Sequence, residues 1–484
     1  MDKISKLNTS ACLLTVSLMV LSSHSASASV YQGCGVKVGE VDQGSAIVWT
    51  RLTQSKDQTT NGYVINKADP FDEKKDSYEK YPKGVDDDKM LGAVPGSPGE
   101  VRLSYRESDR QGKSVQMKWV SVDQSSDFTH KFKISGLKPA TKYDYTIESR
   151  SDSGSQGQTV KGSFKTSPSI DQAVPVMFTV VTGQKFPNRD RVNGHQIFTV
   201  MAAMKPDFFV HTGDYVYMAD KWINSGPPAD AMGHARLQWQ RIHSLELQKE
   251  FYRFVPTYMM KDDHDIGVND CDPTKGLDGY SYWQGIDMFN EQMPTGETPY
   301  RTRRWGKDLQ IWMVEGRDFR SPNAMPDGPE KTIWGKEQFD WLRKSVKASD
   351  AAFKVLISPT PIVGPDRSNK ADNHANSVFK HEGDKIRQWI HDEAPELFVV
   401  CGDRHWQYVS IHPETGVREY CSGSTSDSHA GGWSSGFEKK YHRYLNVIGG
   451  FLSVTVERVN GTPNIVFRHH DVEGKVRNED RHVR

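Results

Sequence analysis

Cysteine is scarce in this chain, five in 484 residues, and none stands at Cys-x-x-Cys or any other zinc-type spacing. That excludes a disulfide framework and a thiolate zinc site. An excess of one charge sign is missing as well, since 62 basic residues balance 62 acidic ones. No polyanion or membrane-surface partner is implied, and no nucleic-acid specificity is evident. No stretch reaches the roughly 20 consecutive apolar residues of a membrane-spanning helix. Internal repeats and low-complexity tracts are absent too.

What is present begins with a leader. Lys3 and Lys6 precede an apolar run at 13–21, and the small-residue triplet Ala26-Ser27-Ala28 follows. This pattern predicts a secretory signal peptide over 1–28 and an exported protein, periplasmic or extracellular. Neither Cys12 nor Cys34 stands where a lipoprotein anchor would need it. Loss of Cys12 with the leader leaves Cys34, Cys271, Cys401 and Cys421, of which Cys401 with Cys421 is the more plausible pair in an oxidising compartment.

The length predicts more than one hydrophobic core. Short alternating runs from Val30 onward read as β-strands, and Leu137-Lys138-Pro139-Ala140-Thr141-Lys142-Tyr143 resembles the tyrosine corner of an immunoglobulin or fibronectin III-like sandwich. A β-sandwich is expected over 29–167, interrupted at about 54–98 by a polar stretch that reads as a surface insertion. Beyond Ser167-Pro168-Ser169 the rhythm changes. Apolar runs at 174–181, 208–210, 257–260, 309–314, 353–357 and 397–400 alternate with longer helix-period segments. The fold class is thus α+β overall, a sandwich followed by an α/β layered domain over 173–484.

Three of these strand ends carry metal-ligand residues. They are His211-Thr212-Gly213-Asp214-Tyr215-Val216-Tyr217, Asp262-Asp263-His264-Asp265 with Asn269 and Asp270, and Cys401-Gly402-Asp403-Arg404-His405. Each alone fits a solvated turn or a helix cap. Together, on strands whose carboxyl ends a parallel sheet gathers at one edge, they predict a centre of two or more metal ions. Two cations that share a water and neutralise an in-line displacement suit phosphoester hydrolysis by metal-bound hydroxide, and a carboxylate such as Asp214 is suited to bridging them.

These motifs, in this order, resemble those of the alkaline phosphatase D family, and more distantly those of purple acid phosphatases. The resemblance extends to the leading domain, through Ile47-Val48-Trp49-Thr50-Arg51. It implies a metallophosphoesterase with an iron and calcium site or a related centre, in which Asp214 bridges, Tyr217 ligates iron as phenolate, Asn269 ligates the second metal, and Asp263, Asp403 and His405 complete the set. His264 is expected not to ligate but to donate a proton to the leaving oxygen or to bond a nonbridging one, kept charged by neighbouring carboxylates. Arg317, Arg320 and Arg404 are expected to grip phosphate oxygens.

Two departures stand out. Thr182-Gly183-Gln184-Lys185 lacks the cysteine of the family's first metal strand, so water, Gln184 or a substrate oxygen takes that place, and Glu315-Gly316-Arg317 replaces an Asp-Thr-Arg type segment. The expected substrate is a phosphate mono- or diester. The alternatives are a sulfate ester on the same scaffold and a non-catalytic secreted binding protein. Partner proteins are unknown from the sequence.

Overall fold

The computed structural model describes residues 29–63, 85–109, 114–218 and 230–484. The leader and the middle of the 54–98 insertion lie outside the described residues.

Phe353–Ser358 is buried at every position, as a strand must be when both faces of its sheet are covered. It runs parallel to Leu309–Met313 and Leu397–Cys401 in a seven-stranded sheet. Val176–Val181, Phe208–His211 and Thr257–Met259 run parallel in a second sheet of nine strands. The two sheets pack face to face over a core that includes Val180, Phe208, Trp305, Val355 and Val454. Phe208 stacks on Phe178 at 4.6 Å and on Trp305 of the opposite sheet at 4.7 Å, contacts that add about 0.5–1.5 kcal/mol each beyond burial.

Helices close both outer faces. Tyr282–Gln292 starts on a Ser281/Gln284 capping box and buries Tyr282, Ile286 and Phe289, one stripe at helical spacing. With Ile197–Met204, Ala231–His243 and Glu246–Tyr252 it covers the nine-stranded sheet. Gly335–Ala348 and Lys380–Glu393 cover the other sheet. The result is four layers: helix, sheet, sheet, helix.

The leading β-sandwich has its own core, with Val48, Leu103, Phe132, Ile147 and Phe164 between its sheets. Tyr143 accepts the Lys138 amide at 2.9 Å, the tie of a tyrosine corner. One of its sheets is not separate, however. Val36–Gly39 pairs in parallel with Thr257–Met259 through Gly39 and Thr257, so the strands Val36–Gly39, Ser45–Arg51 and Thr129–Ser135 extend the nine-stranded sheet. Hydrophobic alternation marks strands but not which edges meet. The joint is reinforced by Trp49, whose indole donates to the Glu291 carbonyl at 3.0 Å, and by Arg51. Buried Arg51 holds Asp127 through two bonds of 2.8 and 2.9 Å, and Asp127 also accepts Gln292 at 2.8 Å.

Two sequence expectations need correction. The insertion, which as a surface element could also lie over the neighbouring domain, does so with its last residues: Met90 and Ala93 are buried against Leu237, and the Val94 amide donates to Gln240 at 3.0 Å, so it is not wholly a surface excursion. Its last residues supply apolar contacts that its charged middle hides from a compositional reading. Cys401 and Cys421 are register partners on adjacent strands, yet all four described cysteines are free thiols. Cys401 meets the Tyr408 hydroxyl at 3.1 Å, and Cys421 points to the Arg404 carbonyl at 3.4 Å. The two thiols also face each other as hydrogen-bonding neighbours, not as a bridged pair.

Asp480, on the edge strand Val476–Val483, ties the two sheets by accepting Arg418 at 2.7 Å and the Tyr420 hydroxyl at 2.8 Å. Burial pushes its carboxyl up, but His482, Arg418 and Tyr420 outweigh this and bring it from 3.8 to about 2. A depressed carboxylate stabilises the fold above its unfolded value and loses that contribution as pH falls through its folded value. The stability difference between wild type and Asp480→Asn should therefore shrink as pH drops from 3.8 to about 2. Urea titrations across that window check it; a constant difference would refute the linkage.

Candidate metal centre

The loops after Val181, His211, Met259 and Cys401 meet at one edge of the paired sheets, and one buried carboxylate ties two of them together. Asp265 accepts the amides of Asp214 at 2.8 Å, Tyr215 at 2.7 Å, Val216 at 3.1 Å and Asp262 at 2.8 Å. This grip holds Asp214 at φ +57°, a left-handed conformation that a short polar side chain tolerates at some cost. Asp403 is left-handed too, at φ +67°, and its amide donates to Thr182 at 3.0 Å. Asp265 sits in a motif the sequence displays, but its role as an acceptor is visible only once the two loops are side by side.

Asp214 is buried at the centre. Its Oδ2 accepts the Tyr217 hydroxyl at 3.1 Å and lies 3.7 Å from His405 Nε2, which is 3.0 Å from the same hydroxyl. Its Oδ1 has no hydrogen-bond partner among the described residues, nor does Asp262 Oδ2. Oxygens of Asp214, Asp262 and Asp403 lie within 4.8 Å of one another, and so do ligand atoms of Asp214, Asp263 and His264. Burial, then Asp263 and Asp262, push the Asp214 carboxyl well above its ordinary range. Burial likewise raises Asp403 to about 7, although Arg404 pulls it down. Burial, and after it His429, His264 and Arg404, keep His405 neutral. Unpartnered buried carboxylate oxygens beside a phenol and a neutral imidazole are costly unless a cation joins them. The donor set is hard oxygen with one borderline nitrogen, which fits metal ions.

Of the residues singled out in the sequence, Asp214, Tyr217, Asp263, His264, Asp403 and His405 stand together. His264 lies ring to ring with Tyr217 at 4.3 Å. Asn269 does not join them in this structure: it is exposed, and Asp270 is the residue that turns inward, its amide on Asp263 at 2.5 Å and its carboxylate on Lys370. The left-handed backbone at Asp270, φ +55°, turns the chain one residue later than the ligand reading requires.

The arginines are also placed differently from expectation. Arg317 is buried and spent on Asp262 Oδ1 at 2.8 Å and the Cys271 carbonyl at 2.9 Å. Arg404 is buried against Asp366 at 2.8 Å and Asp403 at 2.5 Å, and Arg320 donates to Asn323 at 3.1 Å. Arg317 and Arg404 face carboxylates of the protein, because a cluster this acidic needs internal counter-charge before it can offer any to a ligand, whereas Arg320 bonds the Asn323 amide oxygen and the Asp372 backbone carbonyl. Lys370, which the sequence reading passed over, does the same for the outer group Asp263, Asp270 and Asp372. Glu315 is taken up by buried Lys261 at 2.9 Å.

Asp265→Ala strips four buried amides of their acceptor. At roughly 1 kcal/mol per donor left unpaired it should lower the unfolding free energy by about 4 kcal/mol, measured as a drop in urea midpoint. An unchanged midpoint would mean that Asp265 does not hold the two loops.

Comparisons with known proteins agree with this architecture. The family model described as PhoD-like phosphatase matches residues 178–446, and that of the PhoD-like phosphatase N-terminal domain matches residues 20–168. Alkaline phosphatase D of Bacillus subtilis (strain 168) is 21% identical over 304 residues, 55% of this chain and 50% of the relative, so the match spans about half of that protein's length. The solved structure of PhoD superposes with a TM-score of 0.68 at 18% identity, over 95% of this chain and 90% of its own. The purple acid phosphatase PPD1 from seeds of yellow lupin, Lupinus luteus, superposes with a TM-score of 0.62 at 12% identity, over 92% and 73%. The last two likenesses establish a shared fold. With a family model that matches more than half of its residues, and its leading domain matched in order, the chain belongs to the PhoD-like phosphatase family.

Proposed function

We propose that the protein is an exported, metal-dependent hydrolase of phosphate mono- or diesters. The observation that carries this reading is buried Asp214, whose Oδ1 has no hydrogen-bond partner among the described residues and which has an oxygen within 4.8 Å of carboxylates from two other loops. Asp214 would bridge two cations, with Tyr217 and His405 on one side of it and Asp262, Asp263 and Asp403 on the other. When bound, the cations would acidify a water and neutralise charge on the phosphoryl oxygens.

The chain's own residues do the rest. Asp265 fixes the bridging carboxylate in place. Arg317 and Arg404 orient Asp262 and Asp403 and cancel their surplus charge. His264 is partly exposed beside Tyr217 and would give its proton to the leaving oxygen. Lys185, with its ammonium 4.9 Å over the Tyr217 ring, and partly exposed Arg367 supply positive charge at the mouth. The leader pattern and a described chain without a helix long and apolar enough to cross a membrane accord with export.

Elemental analysis of the purified mature protein, with assays on aryl phosphate monoesters, diesters and aryl sulfates, tests the reading. Stoichiometric metal and phosphate-ester cleavage are expected, and Asp214→Asn should reduce cleavage by at least about 100-fold with loss of metal. Cleavage of sulfate alone would change the substrate class; no metal and no turnover would leave a binding protein.

A separate outcome concerns His264. If it protonates the leaving oxygen, His264→Ala should cost about 100-fold or more on an alkyl phosphate and far less on an aryl phosphate whose leaving group needs no proton. Equal losses on both substrates would assign His264 a different role.

A further inference from the structure

Gly183, at φ +62°, ends the strand that faces His405, and a Cβ built on it would lie 2.9 Å from Cδ2 and Nε2 of His405 and 3.4 Å from Cε1 of His429. Any side chain at this position would enter the space between the two imidazoles. The wall is instead completed from the loop after Arg418–Ser422. The Gly183 carbonyl accepts the Thr425 amide at 3.1 Å, the Thr425 hydroxyl at 3.0 Å and His429 Nδ1 at 3.2 Å. The same loop reaches the opposite wall, where the Gly431 amide donates to the His405 carbonyl at 3.0 Å.

A carbonyl only accepts, so Nδ1 of His429 carries the hydrogen and the lone pair of the neutral ring lies on Nε2. Ligating imidazoles are ordinarily prepared in this way, with the far nitrogen donating to a carbonyl or carboxylate. The His429 ring centroid is 4.1 Å from that of His405 and 5.0 Å from that of Tyr217. The third wall is buried Asp214, whose Oδ1 has no hydrogen-bond partner among the described residues.

We propose that His429 ligates the metal ion held by Asp214, Tyr217 and His405, filling the space that glycine leaves at position 183. This rests on the metal-centre reading above and deepens it. Two imidazoles, a phenolate and a carboxylate form a set that suits a transition ion such as iron or zinc and suits calcium or magnesium poorly.

Chelator-stripped full-length mature protein titrated with zinc, followed by X-ray absorption of the bound ion, is the test that needs no variant. Scattering from two imidazoles is expected; one imidazole would overturn the proposal. With ferric iron, the visible phenolate-to-iron absorption gives a second readout. His429→Ala should weaken zinc affinity by at least about ten-fold and shift that absorption, with free imidazole restoring both and calcium binding unchanged. Wild-type affinity and absorption in a folded His429→Ala protein would overturn the role of His429 alone. Failure of the wild-type protein to bind any transition ion would overturn the metal centre itself.

Discussion

The constraint on which this structure turns is the burial of many carboxylates in one place. Asp214, Asp262, Asp263, Asp265, Asp372 and Asp403 are all buried where the strand ends converge. In a low-dielectric interior such a cluster repels itself by far more than a domain's net stability unless every member is answered. Three kinds of answer are present. Asp265 is met by four backbone amides. Asp262 Oδ1, Asp372 and Asp403 face Arg317 and Arg404, and Lys370 adds its charge to the outer group of Asp263, Asp270 and Asp372. The inner oxygens, Asp214 Oδ1 and Asp262 Oδ2, have no hydrogen-bond partner among the described residues. Asp372 Oδ2 and Asp403 Oδ2 lack a hydrogen-bond partner as well, although Arg317 and Arg404 lie in ion-pair range of them, so the acidic cluster as a whole carries more negative charge than its bonded partners answer, and a cation would answer the rest.

The rest of the architecture serves to hold those loops. Parallel strands deliver their carboxyl ends to a common edge, and the face-to-face sheets bring two such edges together. Helices on both outer faces exclude water from both sheets. The leading sandwich braces the same frame: its strand Val36–Gly39 pairs with Thr257–Met259, the strand that leads directly into Asp262 and Asp263. Arg51, Asp127 and Gln292 then lock the sandwich to a helix of the outer layer. The leading domain is therefore part of the nine-stranded sheet's mechanical support.

Much of this was legible in the sequence, for reasons that are themselves physical. Strand periodicity, the tyrosine corner at Tyr143 and the Gly-Asp and Asp-Asp-His strand ends are local signals, and local signals survive in one dimension. What the sequence did not display was which side chains pair within the gathered strand ends. Arg317 and Arg404 look like anion-binding residues until Asp262 and Asp366 are seen to occupy them. Asn269 and Asp270 are neighbours in sequence, and only the left-handed turn at Asp270 determines which of them enters the cluster. His429 lies in the polar loop 422–432, which by sequence suits a pocket wall and plain surface equally. Its one distinguishing signal was a histidine in a Ser- and Gly-rich turn after a strand, a pattern too common to act on.

The electrostatics also bear on how the centre would be loaded. Without a cation, burial and neighbouring carboxylates drive the Asp214 carboxyl well above its ordinary range, and burial brings Asp403 to about 7. Protons and metal ions thus compete for the same oxygens, and ligation displaces the protons. The imidazole side is biased the other way. Burial, first of all, holds His405 and His429 neutral, His429 at about 3, so those rings are available as ligands across the neutral range without deprotonation. On the Tyr217 side a cation would meet nitrogens already in ligating form, and the protons it would displace are those of the Tyr217 phenol and the Asp214 carboxyl; on the Asp403 side they would be those of the carboxyls, Asp403 among them.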